Sequence, residues 1–197
     1  MHPDTEVRFI SKEMGYGVVA IKMIPKGTIT WVQDELDRVI LPEEAEKMHP
    51  EIRKQIEKYC FRNSNGELIL CWDLAKYVNH SFRANCLSTA YDFEVAVRDI
   101  YPGEQLTDDY GYLNIEEPFQ ADDEGTGRDT VYPDDLLRFH AEWDRQLSEA
   151  FRFFRAVDQP LLELVPSGIR RRVYRKLDNQ EPLDSILKLY FDENTQK

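Results

Sequence analysis

Two short stretches of the 197-residue chain carry side chains that could do chemistry. Residues 76–81 read Lys-Tyr-Val-Asn-His-Ser, which places an amide, an imidazole and a hydroxyl directly behind an aromatic–aliphatic pair. Residues 103–111 read Gly-Glu-Gln-Leu-Thr-Asp-Asp-Tyr-Gly, in which a short apolar strand ends at a Tyr-Gly pair. Neither pattern is common in a hydrophobic core, so both stretches are candidates for a functional site.

A cysteine–histidine hydrolase is one chemistry that these residue types could support. It would use Cys86 as the nucleophile and His80 as the base, and it needs a third residue that orients the base. The sequence offers no such third residue, which disfavours a hydrolase. The other cysteines, Cys60 and Cys71, form no Cys-x-x-Cys pair, and an odd number of cysteines does not indicate a disulfide framework. We expect small buried thiols in a reducing compartment.

A Gly-x-Gly at Gly15–Gly17 is the third candidate feature. Many such pairs are plain turns, so the pair alone is weak evidence. Its functional interpretation is that the missing side chains let a ligand lie against the backbone.

Together these motifs resemble the signature of the SET-domain lysine methyltransferases, which reads roughly Arg-Phe-x-Asn-His-Ser and then Gly-Glu-Glu-Leu-x-x-Asp-Tyr-Gly. The resemblance covers about residues 5–119 and includes Val18, Ala20 and the Lys26-Gly27 turn that follow the Gly-x-Gly. It implies a mainly β fold, the SET-type β-clip of short strands, in which the Asn-His-Ser segment threads near the later motif as a pseudoknot. It also implies a protein-lysine N-methyltransferase that uses S-adenosylmethionine.

The resemblance also implies roles for individual residues. Tyr110 matches the catalytic tyrosine that orients the amine and lines the methyl-transfer pore, the alternative being a core tyrosine bonded to the backbone. The residues that match the cofactor contacts, or lie beside them, are Gly15, Tyr16, Gly17, Tyr77, Asn79 and His80. His80 could instead be structural, and Ser81 is expected to bond the local backbone.

The sequence departs from the family pattern where many members bind zinc. Those members place a cysteine after Asn-His-Ser and three more after Asp-Tyr-Gly, whereas this chain has Phe82 and no cysteine beyond Cys86. A four-cysteine site cannot be built, so we expect no structural zinc. The zinc segment normally supplies an aromatic wall over the methyl donor, and we expect Tyr112, Phe119 or Trp143 to replace it.

Two further departures bear on activity. Asp108 stands where family members often carry Phe or Tyr, and an ionised aspartate in the channel would favour the unreactive ammonium. Trp31 and Gln33 occupy the end of the third strand, where the family usually has a tyrosine. These departures keep a second hypothesis open, a catalytically weak SET-fold module that binds a peptide or the cofactor without turnover.

Lysine methylation sets a clear physical requirement. The nucleophile is a neutral amine, and from a reference pKa of about 10.4 its formation at pH 7 costs roughly 4–5 kcal/mol. A dry, narrow channel reduces this cost because burial disfavours the ammonium. A tyrosine suits such a channel because it combines a flat apolar wall with a hydroxyl that can position the amine.

The net charge of the chain indicates which classes of molecule it can bind. The formal net charge of −12 repels phosphate, which disfavours direct nucleic-acid binding, and it would attract a basic, histone-like protein or peptide. The chain shows no Sec-type signal and no apolar run near the ~20 residues of a membrane helix. We therefore expect a soluble intracellular protein, cytoplasmic or nuclear, with no membrane partner. The sequence does not fix its oligomeric state.

Hydrophobic periodicity divides the chain into three parts. Residues 1–119 read as short strands separated by turns, with helix only near residues 42–59, and form the predicted SET domain. Residues 120–133 are polar and glycine-rich and predict a mobile loop or linker. Residues 134–197 predict a helical extension, with apolar side chains at helical spacing from residue 136 to 154, a second helix to about residue 177 and a short third helix at residues 183–191.

Overall fold

The computed structural model describes residues 1–192, which form twelve short strands and four α-helices. The strands are β1 (Thr5–Ser11), β2 (Gly15–Ala20), β3 (Ile29–Val32), β4 (Arg38–Ile40), β5 (Cys60–Arg62), β6 (Leu68–Leu70), β7 (Asn79–His80), β8 (Cys86–Ser88), β9 (Phe93–Ala96), β10 (Thr107–Asp108), β11 (Phe119–Gln120) and β12 (Thr130–Val131). The helices are α1 (Pro42–Ala45), α2 (Pro50–Tyr59), α3 (Asp135–Phe151) and α4 (Ser167–Asp178). The predicted class, mainly β with a helical C-terminal part, is confirmed.

The strands form several small sheets instead of one large sheet. β1 and β2 make an antiparallel hairpin, and two antiparallel three-stranded sheets have the orders β3-β9-β8 and β4-β6-β5. The turn between β5 and β6 ends at Gly66, whose φ of +82° is accessible mainly to glycine. Each sheet has one face available for packing, so adjoining segments must cover it.

The two candidate motifs meet in the one parallel pair found among residues 1–192. β7 pairs with β10, so that Asn79 lies opposite Thr107 and His80 lies opposite Asp108. The Ser81 N–H extends the pairing by donating to the Asp108 carbonyl at 2.9 Å. This is the contact between distant segments that the pseudoknot resemblance implied.

The helical part packs on the β3-β9-β8 sheet and shares one hydrophobic core with it. Phe93 on β9 lies 6.2 Å, between ring centroids, from both Phe151 and Phe154 at the end of α3. The side chain of Gln159 caps the sheet edge, because its amide donates to the Gly27 carbonyl and its carbonyl accepts the Ile29 N–H, both at 2.8 Å. The predicted division at residues 119 and 133 stays a prediction.

Two local expectations differ from the structure. The predicted third helix over residues 183–191 is a single 3-10 turn at Ile186–Leu189, and the end of the predicted helical segment lies outside the described residues. Where we expected a loop over residues 120–133, two short strands, β11 and β12, pair at its ends. Backbone pairing and the partly buried Arg128 hold this polar segment, and composition does not reveal either. No helix within residues 1–192 is long and apolar enough to cross a membrane.

Arg128, just before β12, anchors that hairpin. Its guanidinium lies between the rings of Phe82 and Phe139, 4.4 and 4.2 Å from their centroids. It forms ion pairs with Asp109 and Asp135, whose side chains are 1% exposed. One cation thus neutralises two buried carboxylates, one beside Tyr110 and one at the start of α3.

We expect Arg128→Ala to lower the free energy of unfolding by about 3–5 kcal/mol, because it removes the cation that pairs with buried Asp109 and leaves buried Asp135 with only the longer pair to Arg138 at 3.8 Å. Urea titration at neutral pH measures this. Arg145→Ala is the matched control, since Arg145 makes only exposed ion pairs along α3 and its loss should change stability little. Equal effects of the two substitutions would contradict the anchoring role of Arg128.

Candidate active site

The Gly-x-Gly begins β2 and lies against the first motif. Gly15 has a φ of +81° and open space where a Cβ would project. Gly17 is packed tightly, since a Cβ there would lie 2.7 Å from the Asn79 amide nitrogen and 2.4 Å from the Gln105 side-chain oxygen. Any side chain at position 17 would therefore displace Asn79.

Asn79 joins three segments of the chain. Its side-chain amide donates to the Tyr16 carbonyl at 3.1 Å and to Gln105 Oε1 at 3.0 Å. The Tyr16 ring is 57% exposed and lies edge-on to Tyr77, with 6.4 Å between centroids. The predicted cofactor residues of the two motifs thus form a continuous surface with an accessible aromatic side chain.

His80 connects the first motif to Tyr110. The Tyr110 N–H donates to His80 Nδ1 at 3.1 Å, so the ring proton of the neutral imidazole lies on Nε2. Nε2 is buried and has no hydrogen-bond partner within residues 1–192. Burial is the main cause that lowers the pKa of His80, so the ring is neutral at pH 7. A buried, unused N–H donor is suited to a ligand atom that accepts a hydrogen bond.

Phe119 supplies an aromatic contact at this point. Its ring lies 5.5 Å from the ring of His80 and 6.1 Å from that of Tyr110. β11 and β12 hold Phe119 there, with Val131 opposite it in the register. Of the three aromatics expected to replace the missing zinc segment, Phe119 is the one that contacts the predicted site residues.

Tyr112 and Trp143 are placed elsewhere. They are 1% and 4% exposed and pack edge to face with 5.5 Å between centroids, inside the core between the sheet and α3. Packing in the core accounts for both rings, and the expectation that they line the donor pocket stays a prediction. The apolar spacing of α3 that placed Trp143 among the candidates reflects packing.

Tyr110 lines a cleft of about 480 Å³. Its hydroxyl donates to the Val78 carbonyl at 2.6 Å, which fixes the ring between the two motifs. Burial raises the pKa of Tyr110, and nearby Asp108 raises it further. The hydroxyl is therefore protonated at neutral pH and can orient a polar group by hydrogen bonding, but it is a poor base.

The inner end of the cleft carries two buried carboxyl groups, from Glu94 on β9 and Asp108 on β10. A Glu94 oxygen, an Asp108 oxygen and the Cys86 sulfur lie within 4.8 Å of one another. Burial raises the pKa of both carboxyls, and the charge of Glu94 raises that of Asp108 further, well above its usual range. Burial also keeps Cys86 a neutral thiol by raising its pKa. Ionising both acids at once is therefore unfavourable, because their charges would lie close together in a buried site.

Three residues of the site were missed by the sequence reasoning. Asn85 bonds the 105–107 segment through both ends of its amide, donating to the Gln105 carbonyl at 2.7 Å and accepting the Thr107 N–H at 2.9 Å. Nothing in its sequence position indicates this. Glu94 could have been found, because it is the single charged residue of an otherwise apolar strand. Gln105 could have been found because side chains alternate between the two faces of a strand, so the neighbour of buried Leu106 points to the opposite face.

The raised pKa of Asp108 predicts a pH-dependent stability. The folded-state pKa of Asp108 lies above the unfolded value of 3.8, so the folded protein binds more protons than the unfolded chain above that pH. Stability should fall as pH rises from about 4 toward the folded pKa. Asp108→Asn should remove this loss and stabilise the protein more at pH 8 than at pH 5, in urea titrations at both values. Asp122→Asn, on the exposed loop, should show no such difference.

Comparisons with known proteins bear on this arrangement. A family model described as the SET domain matches residues 15–111, a range that contains the Gly-x-Gly, both motifs and Asn85. No curated protein matches the chain significantly. Among solved structures, one match is a candidate histone methyltransferase of Plasmodium falciparum, with 17% identity and a TM-score of 0.41 over 56% of this chain and 95% of that one. That likeness is too low to support a conclusion about activity.

The range matched by the family model coincides with the segments that form the candidate site. The matched range begins at the glycine that opens β2 and ends at the glycine after Tyr110. Within it, the two motifs pair in parallel, as the resemblance implied. Residues 15–111 are therefore a SET domain.

Proposed function

We propose that this protein is an S-adenosylmethionine-dependent protein-lysine N-methyltransferase whose substrate is a lysine in a basic protein or peptide. The observation that carries the proposal is the β7–β10 pairing, which brings the Gly-x-Gly, Asn79, His80 and Tyr110 to one place beside a cleft. These residues are distant in sequence, and no general feature of a β-rich fold requires them to meet.

The residues fit a methyl donor. Open space at Gly15, the exposed ring of Tyr16 and the unused N–H of His80 offer a backbone approach, an aromatic contact and a hydrogen-bond donor. When bound, S-adenosylmethionine would supply an electrophilic methyl group. Asn79 would act by holding the Tyr16 backbone in place, which preserves the shape of the surface.

The cleft fits the acceptor. Its walls come from residues 56–62 and 113–117, and its inner end contains Tyr110, Glu94 and Asp108. A lysine side chain is long, apolar along its stem and polar only at its tip, and this matches a cleft that is polar at its inner end. The net charge of −12 would speed the approach of a basic segment. The substrate's identity and the number of methyl groups are not specified by these features.

Cofactor binding is tested by calorimetric titration with S-adenosylmethionine and with its demethylated product. We expect Gly17→Ala to weaken binding by about tenfold or more, because the new Cβ displaces Asn79 and its two hydrogen bonds. Gly168→Ala is the matched control, since a Cβ at that position in α4 meets nothing within 4 Å. Absence of binding to the folded wild-type protein would contradict the proposal.

Turnover is tested with a methyl-transfer screen on basic proteins and poly-L-lysine. We expect Tyr110→Phe to lower kcat by about 10²-fold while donor binding is retained, because the amine loses a group that orients it. The substitution also removes the bond to Val78, so urea titration must show that the variant stays folded. If the wild-type protein binds the donor but methylates no lysine, the binding-module hypothesis is favoured. The absence of a tyrosine at the end of the third strand also supports that hypothesis.

A further inference from the structure

The buried carboxyl pair of Glu94 and Asp108 takes no part in the proposed contacts with the methyl donor. The two side chains are 4% and 8% exposed, come from different strands and both line the inner end of the cleft beside Tyr110. Taking two carboxyl groups out of water is costly, and replacing them with apolar residues is often neutral or stabilising. Their position, in a cleft and next to the predicted catalytic tyrosine, points to a role in the reaction.

The pair lacks a cation. Within residues 1–192, neither carboxyl forms an ion pair with a lysine, arginine or histidine. The ionisable groups that face the pair are Cys86 on β8, Tyr110 and Tyr112 after β10, Asp109, and, at longer range, the N-terminal ammonium. That ammonium is engaged by Asp73. A positive charge entering the cleft would therefore meet a carboxylate that no protein cation neutralises.

A polar atom at this end of the cleft is also left free. The indole N–H of Trp31 is buried, lines the cleft and has no hydrogen-bond partner within the described chain. Glu94 Oε1, in contrast, accepts the Thr30 hydroxyl at 2.6 Å, which supports the negative charge on Glu94. An unpartnered polar group in a cleft is expected where a ligand completes the bonding.

We propose that the Glu94–Asp108 pair accepts the proton that the substrate ammonium must lose before methyl transfer. This inference rests on the proposed function. The resting pair holds one proton and one negative charge. One N–H bond of the ammonium breaks, its electrons remain on nitrogen as the lone pair of the amine, and an O–H bond forms on the pair. The products are a neutral amine and two neutral carboxylic acids.

Burial drives this transfer in the required direction. Before it, the cleft holds a cation and an anion, and afterwards it holds neither, so a site that excludes water favours the products. Tyr110 cannot do the same, since its hydroxyl is protonated at neutral pH and already bonded to Val78. The proposal also answers the objection to an aspartate in the channel, because the negative charge of the pair disappears when the pair takes the proton, and the amine that remains faces two neutral acids.

The first test needs no turnover. Carbon-13 NMR of protein labelled at the side-chain carboxyl groups, assigned with Glu94→Gln and Asp108→Asn, follows the pair as n-butylammonium is added at pH 7. We expect a pair that shares one proton before addition, and both resonances moving toward the protonated position on addition. Uncharged n-butanol is the control and should cause no such movement. Two fully ionised carboxyls at pH 7, or resonances that n-butylammonium leaves unchanged, would overturn the proposal.

The second test is the pH dependence of methyl transfer from S-adenosylmethionine to poly-L-lysine. At pH 7 we expect Asp108→Asn and Glu94→Gln to lower kcat by about 10²-fold or more, with a smaller change in KM. The deficit should narrow as pH approaches about 10, where the free amine no longer needs an acceptor. Asp122→Asn should follow the wild type throughout. A deficit that stays constant with pH would indicate a merely structural role and overturn the proposal.

The two hypotheses fail separately. A wild-type protein that methylates no lysine would contradict the proposed function, while the NMR titration would still decide whether the pair takes a proton from an amine. Conversely, active enzyme with pH profiles unchanged by Asp108→Asn would refute the proton acceptor and leave the methyltransferase intact.

Discussion

The parallel pairing of β7 with β10 is the contact on which the rest of the site depends. It is only two residues long in each strand, so its backbone bonds alone would not hold it. Asn85 supplies the missing stability, because its buried amide bonds the 105–107 segment from the side. With this contact in place, His80 lies within hydrogen-bonding distance of Tyr110, and Asn79 reaches the β1–β2 hairpin. Two short motifs that are distant in sequence thus form one candidate site.

Two pairs of buried carboxyl groups lie near Tyr110, and their charges are compensated in different ways. Asp109 and Asp135 share the guanidinium of Arg128, which is further held between two aromatic rings. Within the described residues, Glu94 and Asp108 have no such cation, and burial raises the pKa of both carboxyls. The first arrangement is complete within the described residues and stabilises the fold. The second leaves two carboxyls in the lining of a cleft, where the proposed substrate ammonium would meet them.

The helical part of the chain contributes to the site indirectly. α3 covers the β3-β9-β8 sheet, and its aromatic residues, Trp143 among them, fill the core beneath Tyr112. The aromatic contact beside His80 comes instead from Phe119 on the β11–β12 hairpin. Arg128 ties that hairpin to the start of α3 through Asp135. The segment after the SET domain therefore reaches the site through one anchored hairpin.

The sequence by itself determined the fold class, most strand positions and the two motifs, because alternation, turn residues and motif spacing are local properties. It could not separate Phe119 from Tyr112 and Trp143, since whether an aromatic ring packs in the core or faces a site depends on which element covers it. Nor could it pair Glu94 with Asp108, or Arg128 with Asp109. Those contacts join strands and loops distant in sequence, and only the packed tertiary structure brings their charges close enough to change one another's protonation.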